Sequence, residues 1–222
     1  MRLVALLIAT ISFVLTPATG AARQQTAQQV AAALQAKYDR ISDFTADFVQ
    51  HYQSGVLKRK AATERGTLQV KKPGKMRWDY TSPEKKLFVS DGSQITLYVP
   101  ADKQATVTPV PRQDEATTAV LFLVGKGNLT RDFAVSFIDK AQPGTHGLRL
   151  QPKLPERDYD WLEIVVDQST LQIRSLTAAD RQGGQSTFEL SNLKENVGLT
   201  DKIFAFTPPR GTDVIQAGKS TR

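Results

Sequence analysis

The segment VKKPGKMRWDYTSPEKKLFVSDG, residues 70–92, is the most informative part of the sequence for the fold, because it alternates short strand patterns with turns. Apolar and polar side chains alternate from Met76 to Tyr80, which is the period of a β-strand with one buried face. Pro73-Gly74 and Asp91-Gly92 are typical turn pairs. The segment therefore predicts an antiparallel meander that carries bulky apolar side chains on one face.

The same two-residue period continues through most of the chain, after one amphipathic helix. Thr26 and Gln29 have the spacing of a capping box, and Val30 and Leu34 follow at helical intervals. We expect about eleven strands and a mainly β fold with helices (α+β). The clearest further strand patterns are Phe44–Val49, Ile95–Val99, Ala105–Val110, Phe133–Phe137, Leu148–Leu150, Leu162–Val166, Leu171–Ile173, Leu176–Ala178 and Phe188–Leu190.

One apolar segment interrupts the strand patterns. Residues 119–124 are apolar without a break, acidic residues precede them and Gly125 follows. This arrangement favours a short helix, and a buried strand remains the alternative because length alone does not decide. A helix that is apolar all round needs apolar cover on more than one side.

The N-terminus predicts export. A basic start, an apolar run from Leu3 to Thr16 and small residues up to Ala22 have the layout of a signal peptide. We therefore expect a signal peptide at residues 1–22 and a single domain at residues 23–222. The chain has no cysteine, which excludes thiolate chemistry and a lipid anchor on a cysteine. The formal net charge of +7 suits acidic partners or solubility.

The sequence offers little for catalysis. His51 and His146 are the only histidines, and neither belongs to a metal-binding motif. Neither a G-x-S-x-G elbow nor a phosphate-binding glycine loop is present. We therefore predict no catalytic residue, no metal and no cofactor, and a protein that is not an enzyme. An esterase whose residues meet only in the fold remains an alternative.

Surplus apolar surface is the more informative feature. Two helical segments are little cover for about eleven antiparallel strands, which usually bury one face. If the sheet curls without closing into a barrel, its concave face forms a trough that the helices cover. Helices that simply complete a core are the plain alternative. Bulky Met76 and Trp78 favour the trough, because methionine suits surfaces that accept variable apolar shapes.

Three stretches resemble the outer-membrane lipoprotein carrier protein family. They are GTLQVKKPGKMRWDYTSPEKKLFVSDGSQITLYVP at 66–100, AVLFLVGKGNLTRDF at 119–133 and FAFTPPRGTDVI at 204–215. The resemblance implies an unclosed antiparallel β-barrel with a helical lid over its concave apolar face. It also implies a periplasmic chaperone that binds the acyl chains of lipoproteins. An inner-membrane ABC transporter would load it, and an outer-membrane receptor would accept the cargo.

The resemblance also assigns a latch. In the family an arginine directly before the proline holds the lid closed, and Lys72 occupies that position here. A lysine is a point charge without the planar fork of arginine, so the latch is looser or lies at Lys71 or Lys75. Met76 stands where the family commonly has phenylalanine.

The combined prediction is a site that binds lipid and catalyses no reaction. Two functional alternatives remain: a carrier of another envelope lipid, such as a glycolipid, and a lipid-sensing module. The predicted latch is Lys72, and the predicted lid is Val120, Leu121, Phe122 and Leu123. The predicted acyl-chain cavity is lined by Val30, Leu34, Phe48, Met76, Trp78, Tyr80, Val89 and Leu97.

Overall fold

The computed structural model describes residues 25–55, 63–110, 127–156 and 159–217. The helices in these ranges are α1 (Ala27–Asp39), α2 (Leu129–Asp132) and a 3₁₀ helix (Asp201–Phe204). The strands are β1 (Asp43–Gln53), β2 (Glu64–Lys71), β3 (Lys75–Ser82), β4 (Lys86–Asp91), β5 (Gln94–Val99), β6 (Gln104–Pro109), β7 (Phe133–Phe137), β8 (Thr145–Pro152), β9 (Trp161–Asp167), β10 (Ile173–Ala179), β11 (Gln185–Glu195) and β12 (Asp213–Gln216). The predicted signal peptide and the predicted lid lie outside the described residues.

All twelve strands belong to one sheet, in the order β12-β6-β5-β4-β3-β2-β1-β11-β10-β9-β8-β7. Its two edge strands, β12 and β7, do not pair with each other, so the prediction of an unclosed sheet is confirmed. The strand β12 exceeds the predicted number of about eleven, and it pairs with β6 in parallel. The other neighbouring strands of the sheet pair antiparallel, as predicted, so β12 adds one parallel pair at this edge.

The helix α1 covers one face of the sheet. Its capping box forms as predicted: Thr26 Oγ1 accepts from the N–H of Gln29 at 3.2 Å, and Gln29 Oε1 accepts from the N–H of Thr26 at 2.9 Å. Its apolar side is buried and includes Val30 and Leu34. The helix contacts β7, β8 and α2, and Gln35 Oε1 accepts from the N–H of Leu129 at 2.9 Å. A cap and an apolar stripe thus place α1 on the sheet.

We call the face that carries Phe48, Leu68 and Trp78 the inner face, and the opposite one the outer face. The inner face and α1 share the main hydrophobic core of the described residues. Its fully or nearly buried members on the strands include Phe44, Phe48, Leu68, Val70, Met76, Trp78, Leu148, Leu150, Leu162, Ile164, Val166, Ile173, Leu176 and Leu190.

The outer face is also covered along β3 and β4, which no pattern in the sequence indicates. The 3₁₀ helix contacts both strands, and its Phe204 is buried. Phe206 lies against Tyr98, with ring centres 5.3 Å apart. The chain after β11 therefore supplies a second, smaller apolar layer. In the described ranges, the helices are all too short or too polar to cross a membrane.

Candidate functional site

An aromatic cluster occupies the middle of the inner face. The Phe48 ring centre lies 5.0 Å from that of Trp78 and 4.9 Å from that of Tyr80, both edge-on. Phe188 adds a ring 5.0 Å from Trp78. The strand register produces this cluster, because Gly66 lies between Phe48 and Tyr80 on the same face. A Cβ atom at Gly66 would clash with the backbone oxygen of Asp79 and lie 2.8 Å from the Phe48 ring, so the space between β3 and the ring admits only glycine.

Most of the predicted cavity residues lie on this side of the sheet. Val30, Leu34, Phe48, Met76 and Trp78 belong to one buried cluster. Tyr80 is half-buried and packs against the cluster.

Val89 is the exception, and its assignment to the cavity is wrong. It pairs with Arg77 and Thr96, so it faces the outer side, where it is buried. The inner-face position of β4 belongs to Phe88, which pairs with Trp78. The run Leu87-Phe88-Val89 is apolar on both faces, so its alternation does not distinguish them. Counting the register outward from Trp78 would have found Phe88, whereas no local signal marks Phe188.

The inner face is not equally covered from one edge to the other. Under α1 its side chains are buried, as the near-zero exposures of Leu148 and Leu150 show. Towards the β12 edge, Leu97 is 39% exposed and Ile215 is 42% exposed. Both residues lie opposite Thr106, so they share the inner face. Apolar inner-face surface is therefore already accessible at this edge, and Leu97 is part of it.

Lys72 ties the β2–β3 turn to the end of α1. Its ammonium donates a hydrogen bond to the Tyr38 carbonyl oxygen and lies 4.2 Å from the centre of the Tyr38 ring. Burial lowers the pKa of Lys72 below its usual value, and the nearby Asp39 carboxylate acts in the opposite direction. The contact therefore forms at a cost in desolvation. Its partner in the described structure is α1, while the predicted lid residues 120–123 lie outside the described ranges.

Lys71 and Lys75, the two alternative latch residues, contact the C-terminal segment and not α1. Lys71 and Lys75 place their ammonium groups 2.8 Å and 3.1 Å from Asp201 Oδ1. Lys71 also donates to the Leu199 carbonyl oxygen at 2.9 Å. Both lysines face the outer side, because they alternate with Val70 and Met76. They fasten the C-terminal segment, and the prediction that either replaces Lys72 as a tie across the inner face is wrong.

The other end of the inner face is polar. The Tyr80 hydroxyl donates to Gln50 Oε1 at 3.0 Å, and Gln50 Nε2 donates to Ser186 Oγ at 3.1 Å. Lys86 lies 4.2 Å from the centre of the Tyr80 ring and pairs with Glu64 at 2.5 Å. Burial, helped by the Glu64 charge, raises the pKa of Tyr80, so its hydroxyl stays neutral and able to donate. An apolar middle thus ends in a hydrogen-bonding border.

The two histidines make contacts within the fold and do not form part of a metal-binding group among the described residues. No group of three metal-ligating side chains occurs within the described ranges. His51 lies near Thr63 and Glu189, and His146 lies against Phe137. An apolar face with a polar border can bind an amphipathic molecule.

Comparison with known proteins gives consistent matches. Residues 39–207 match the family model described as outer membrane lipoprotein carrier protein LolA. The chain is 31% identical to the outer-membrane lipoprotein carrier protein of Legionella pneumophila (strain Lens), over 85% of this chain and 91% of that protein. It is 34% identical to the protein of that name from Methylibium petroleiphilum, over 70% and 74% of the two chains.

A solved structure supports the fold alone. An uncharacterized conserved protein from Thermus thermophilus superposes with a TM-score of 0.53 at 11% identity. The match covers 85% of this chain and 98% of that one.

Proposed function

The chain belongs to the LolA family of outer-membrane lipoprotein carriers, and from this we propose that it carries lipoproteins through the periplasm with their acyl chains on the inner face of its sheet. The single observation that carries the proposal is the inner face itself. A sheet that does not close brings Phe48, Trp78 and Phe188 together with a helix that is tied across it by Lys72. Such a face can be uncovered without unpairing a strand.

The proposal includes a route. An inner-membrane ABC transporter hands the lipoprotein to this protein, and an outer-membrane receptor takes it over. Residues 1–22 direct export and are then removed, and one monomer carries one lipoprotein. The sequence supports the export step through its basic and then apolar N-terminus, and the absence of cysteine separates this chain from a lipid-anchored receptor.

The binding energy has to be limited for such a carrier to release its cargo. Burial of an acyl chain contributes about 0.8 kcal/mol per methylene. Three long chains would exceed the ceiling of about 20 kcal/mol that non-covalent binding reaches. Some of this gain must be offset by contacts that the empty protein already makes. Buried side chains of the inner face and of α1, such as Trp78 and Leu34, provide such contacts.

We therefore propose that α1 and the lid compete with the acyl chains for the inner face. Cargo displaces the apolar side of α1 and the lid residues Val120, Leu121, Phe122 and Leu123 from the inner face, and the net affinity falls by the free energy of the packing that it displaces. Lys72 adds a single charged hydrogen bond, whose gain is reduced by the partial desolvation of the ammonium. Delivery then proceeds towards any acceptor that gives up less internal packing.

The test is a release assay. Spheroplasts that hold newly made lipoproteins in the inner membrane are incubated with the purified protein, and the soluble fraction is probed for lipoproteins. We expect stoichiometric release that depends on the added protein, followed by transfer to outer membranes. If lipoproteins stay in the membrane while another lipid appears in the soluble fraction bound to the protein, the cargo assignment is wrong.

The lid needs its own variant. Leu121→Glu should retain the fold, measured by circular dichroism, and lose cargo release. Normal release by Leu121→Glu would remove the lid from the mechanism and leave the inner face as the only binding surface.

A further inference from the structure

The polar border of the inner face runs across five neighbouring strands. We call Gln50, Tyr80, Lys86 and Ser186 the polar row. They lie on β1, β3, β4 and β11, and β2 contributes Glu64, which pairs with Lys86. Register places all of them on the inner face, because Tyr80 pairs with Lys86 and Gln50 lies two residues beyond Phe48. The row therefore begins where the aromatic cluster ends.

The apolar stretch below the row has the length of an acyl chain. From Gln50 to Phe44 the strand β1 advances six residues, about 20 Å at its usual rise. One leaflet of a bilayer offers an acyl chain about 15 Å of hydrocarbon depth. A chain whose polar end lies at Gln50 can therefore extend past Phe48 to the Phe44 region without reaching another polar border.

The row also keeps hydrogen-bond donors for a ligand. Ser186 accepts from Gln50, so its own hydroxyl hydrogen is available to donate. The Gln50 amide has a second N–H, and the Lys86 ammonium has further hydrogens beside the one directed at Glu64. Each of these side chains is half-buried, so a ligand on the inner face can reach it while water is partly excluded. Donors of this kind suit carbonyl oxygens.

We propose that the polar row is a subsite for the carbonyl groups that link acyl chains to the lipoprotein head group. The esters and the amide of a lipidated cysteine supply carbonyl acceptors at the point where the hydrocarbon ends. The row binds them through the Ser186 hydroxyl, the Gln50 amide and Lys86, and Tyr80 holds Gln50 in place. This inference rests on the proposed carrier function, and it adds that the cargo binds with its chains directed from Gln50 towards Phe44.

The test uses two lipopeptide probes with hydrocarbon chains of the same short length, which keep both probes monomeric. One probe carries ester-linked chains on its glyceryl-cysteine, and the other carries ether links, which lack the carbonyls. Titration of the protein's tryptophan fluorescence gives both dissociation constants. The unmodified protein should bind the ester probe roughly tenfold more tightly, as one or two hydrogen bonds provide.

Two variants test whether the preference for the ester probe depends on the polar row. Tyr80→Phe combined with Ser186→Ala should bind both probes equally and keep the ether affinity within about twofold. Thr187→Val is the matched control, since Thr187 follows Ser186, faces the outer side and bonds to Thr177 at 2.9 Å. It should keep the ester preference, and Ser186→Thr alone should keep it too.

The outcomes separate the two proposals. Binding of neither probe would overturn the carrier function together with the subsite. Equal binding of both probes by the unmodified protein would overturn the subsite alone. An equal loss of both affinities in the double variant would also overturn it, because the row would then only support the sheet.

Discussion

Lys71 and Lys72 are neighbours in sequence, but they bind elements on opposite faces of the sheet. We call α1 the inner cover and the C-terminal segment after β11 the outer cover. Lys72 reaches inward to the Tyr38 carbonyl at the end of α1. Lys71 reaches outward to Asp201 and to the Leu199 carbonyl, and Lys75 joins it on Asp201. One turn between β2 and β3 is thus the fixing point for the helix on the inner face and for the C-terminal segment on the outer face.

The outer cover is held by more polar contacts than the Lys72 tie provides on the inner side. The buried Asp43 carboxylate accepts from the N–H groups of Val197, Gly198 and Leu199 at 2.7, 3.1 and 3.3 Å. Arg77 donates to the Ile203 carbonyl oxygen at 3.1 Å. Charge-assisted bonds of this kind are strong and directional. The helix α1 has one further charged contact with the sheet, since the Lys37 ammonium lies 2.6 Å from Glu195 Oε1. Because the outer cover still has the larger number of charge-assisted bonds, we expect it to stay in place when cargo displaces the inner one.

The largest expected effects come from removing one aromatic side chain from the outer cover and one from the inner face. Phe204→Ala and Trp78→Ala should each reduce the free energy of unfolding by about 3–5 kcal/mol, because both side chains are almost fully buried. Denaturant titration measures that loss. Below the melting transition, where circular dichroism shows both variants folded, Phe204→Ala should still release lipoproteins and Trp78→Ala should not.

Release by Trp78→Ala would contradict the comparison, because the inner face would then not be the binding surface. Loss of release by folded Phe204→Ala would contradict it equally, since the outer cover would then take part in binding.

The next effect uses two exposed residues at the same edge of the sheet. Leu97 is 39% exposed on the inner face and Val214 is 44% exposed on the outer face, opposite Ala105. Leu97→Glu should weaken acyl binding at least tenfold, because a carboxylate beside hydrocarbon is poorly solvated. Val214→Glu should leave binding unchanged. Thermal unfolding of both variants should match that of the parent protein. Equal binding by the two would show that the acyl-binding surface does not extend to Leu97.

The sequence predicted the strands and α1 better than it predicted which segments cover the sheet. Alternation around Trp78 and the capping box at Thr26 identified the sheet and α1, since periodicity is a local property. The alternation could not assign the three apolar residues 87–89 to faces, so Val89 was placed on the wrong one. The outer cover was missed because Phe204 follows no strand or helix period. Its place depends on contacts with β3 and β4, which lie more than a hundred residues earlier.

The candidate site shows the same limit. Phe48, Trp78 and Tyr80 could be grouped from the period of their strands, but Phe188 joins them only because β11 pairs with β1. This pairing closes a long loop, and no local pattern encodes it. The role of Lys72 came from a family resemblance, and its actual partner, the carbonyl of Tyr38, is backbone and has no sequence signal.

A smaller effect should follow from cutting the two lysine ties separately. Lys72→Leu removes one charged hydrogen bond from the inner cover and should ease its opening by about 1 kcal/mol, roughly fivefold. We expect faster uptake of the ester probe and slower unloading to outer membranes. Lys71→Leu should alter neither rate, because its partners lie on the outer face. Stopped-flow fluorescence measures uptake, and unchanged rates in Lys72→Leu would remove that residue from the mechanism.

The smallest effect concerns the ion pairs of the outer cover. Hydrogen bonds from Lys71 and Lys75 lower the pKa of Asp201 below its usual value of 3.8, so the carboxylate favours the folded state once it is ionised. This stabilisation is present above the unfolded pKa and is lost as the pH falls through the lower, folded pKa. The Asp201 side chain is largely exposed, so the effect is small and screened by salt.

Asp201→Asn should therefore unfold at slightly lower denaturant concentration than the parent at pH 7 and low salt, and at the same concentration well below pH 3.8. An equal difference at both pH values would mean that side-chain shape, and not charge, secures this end of the segment.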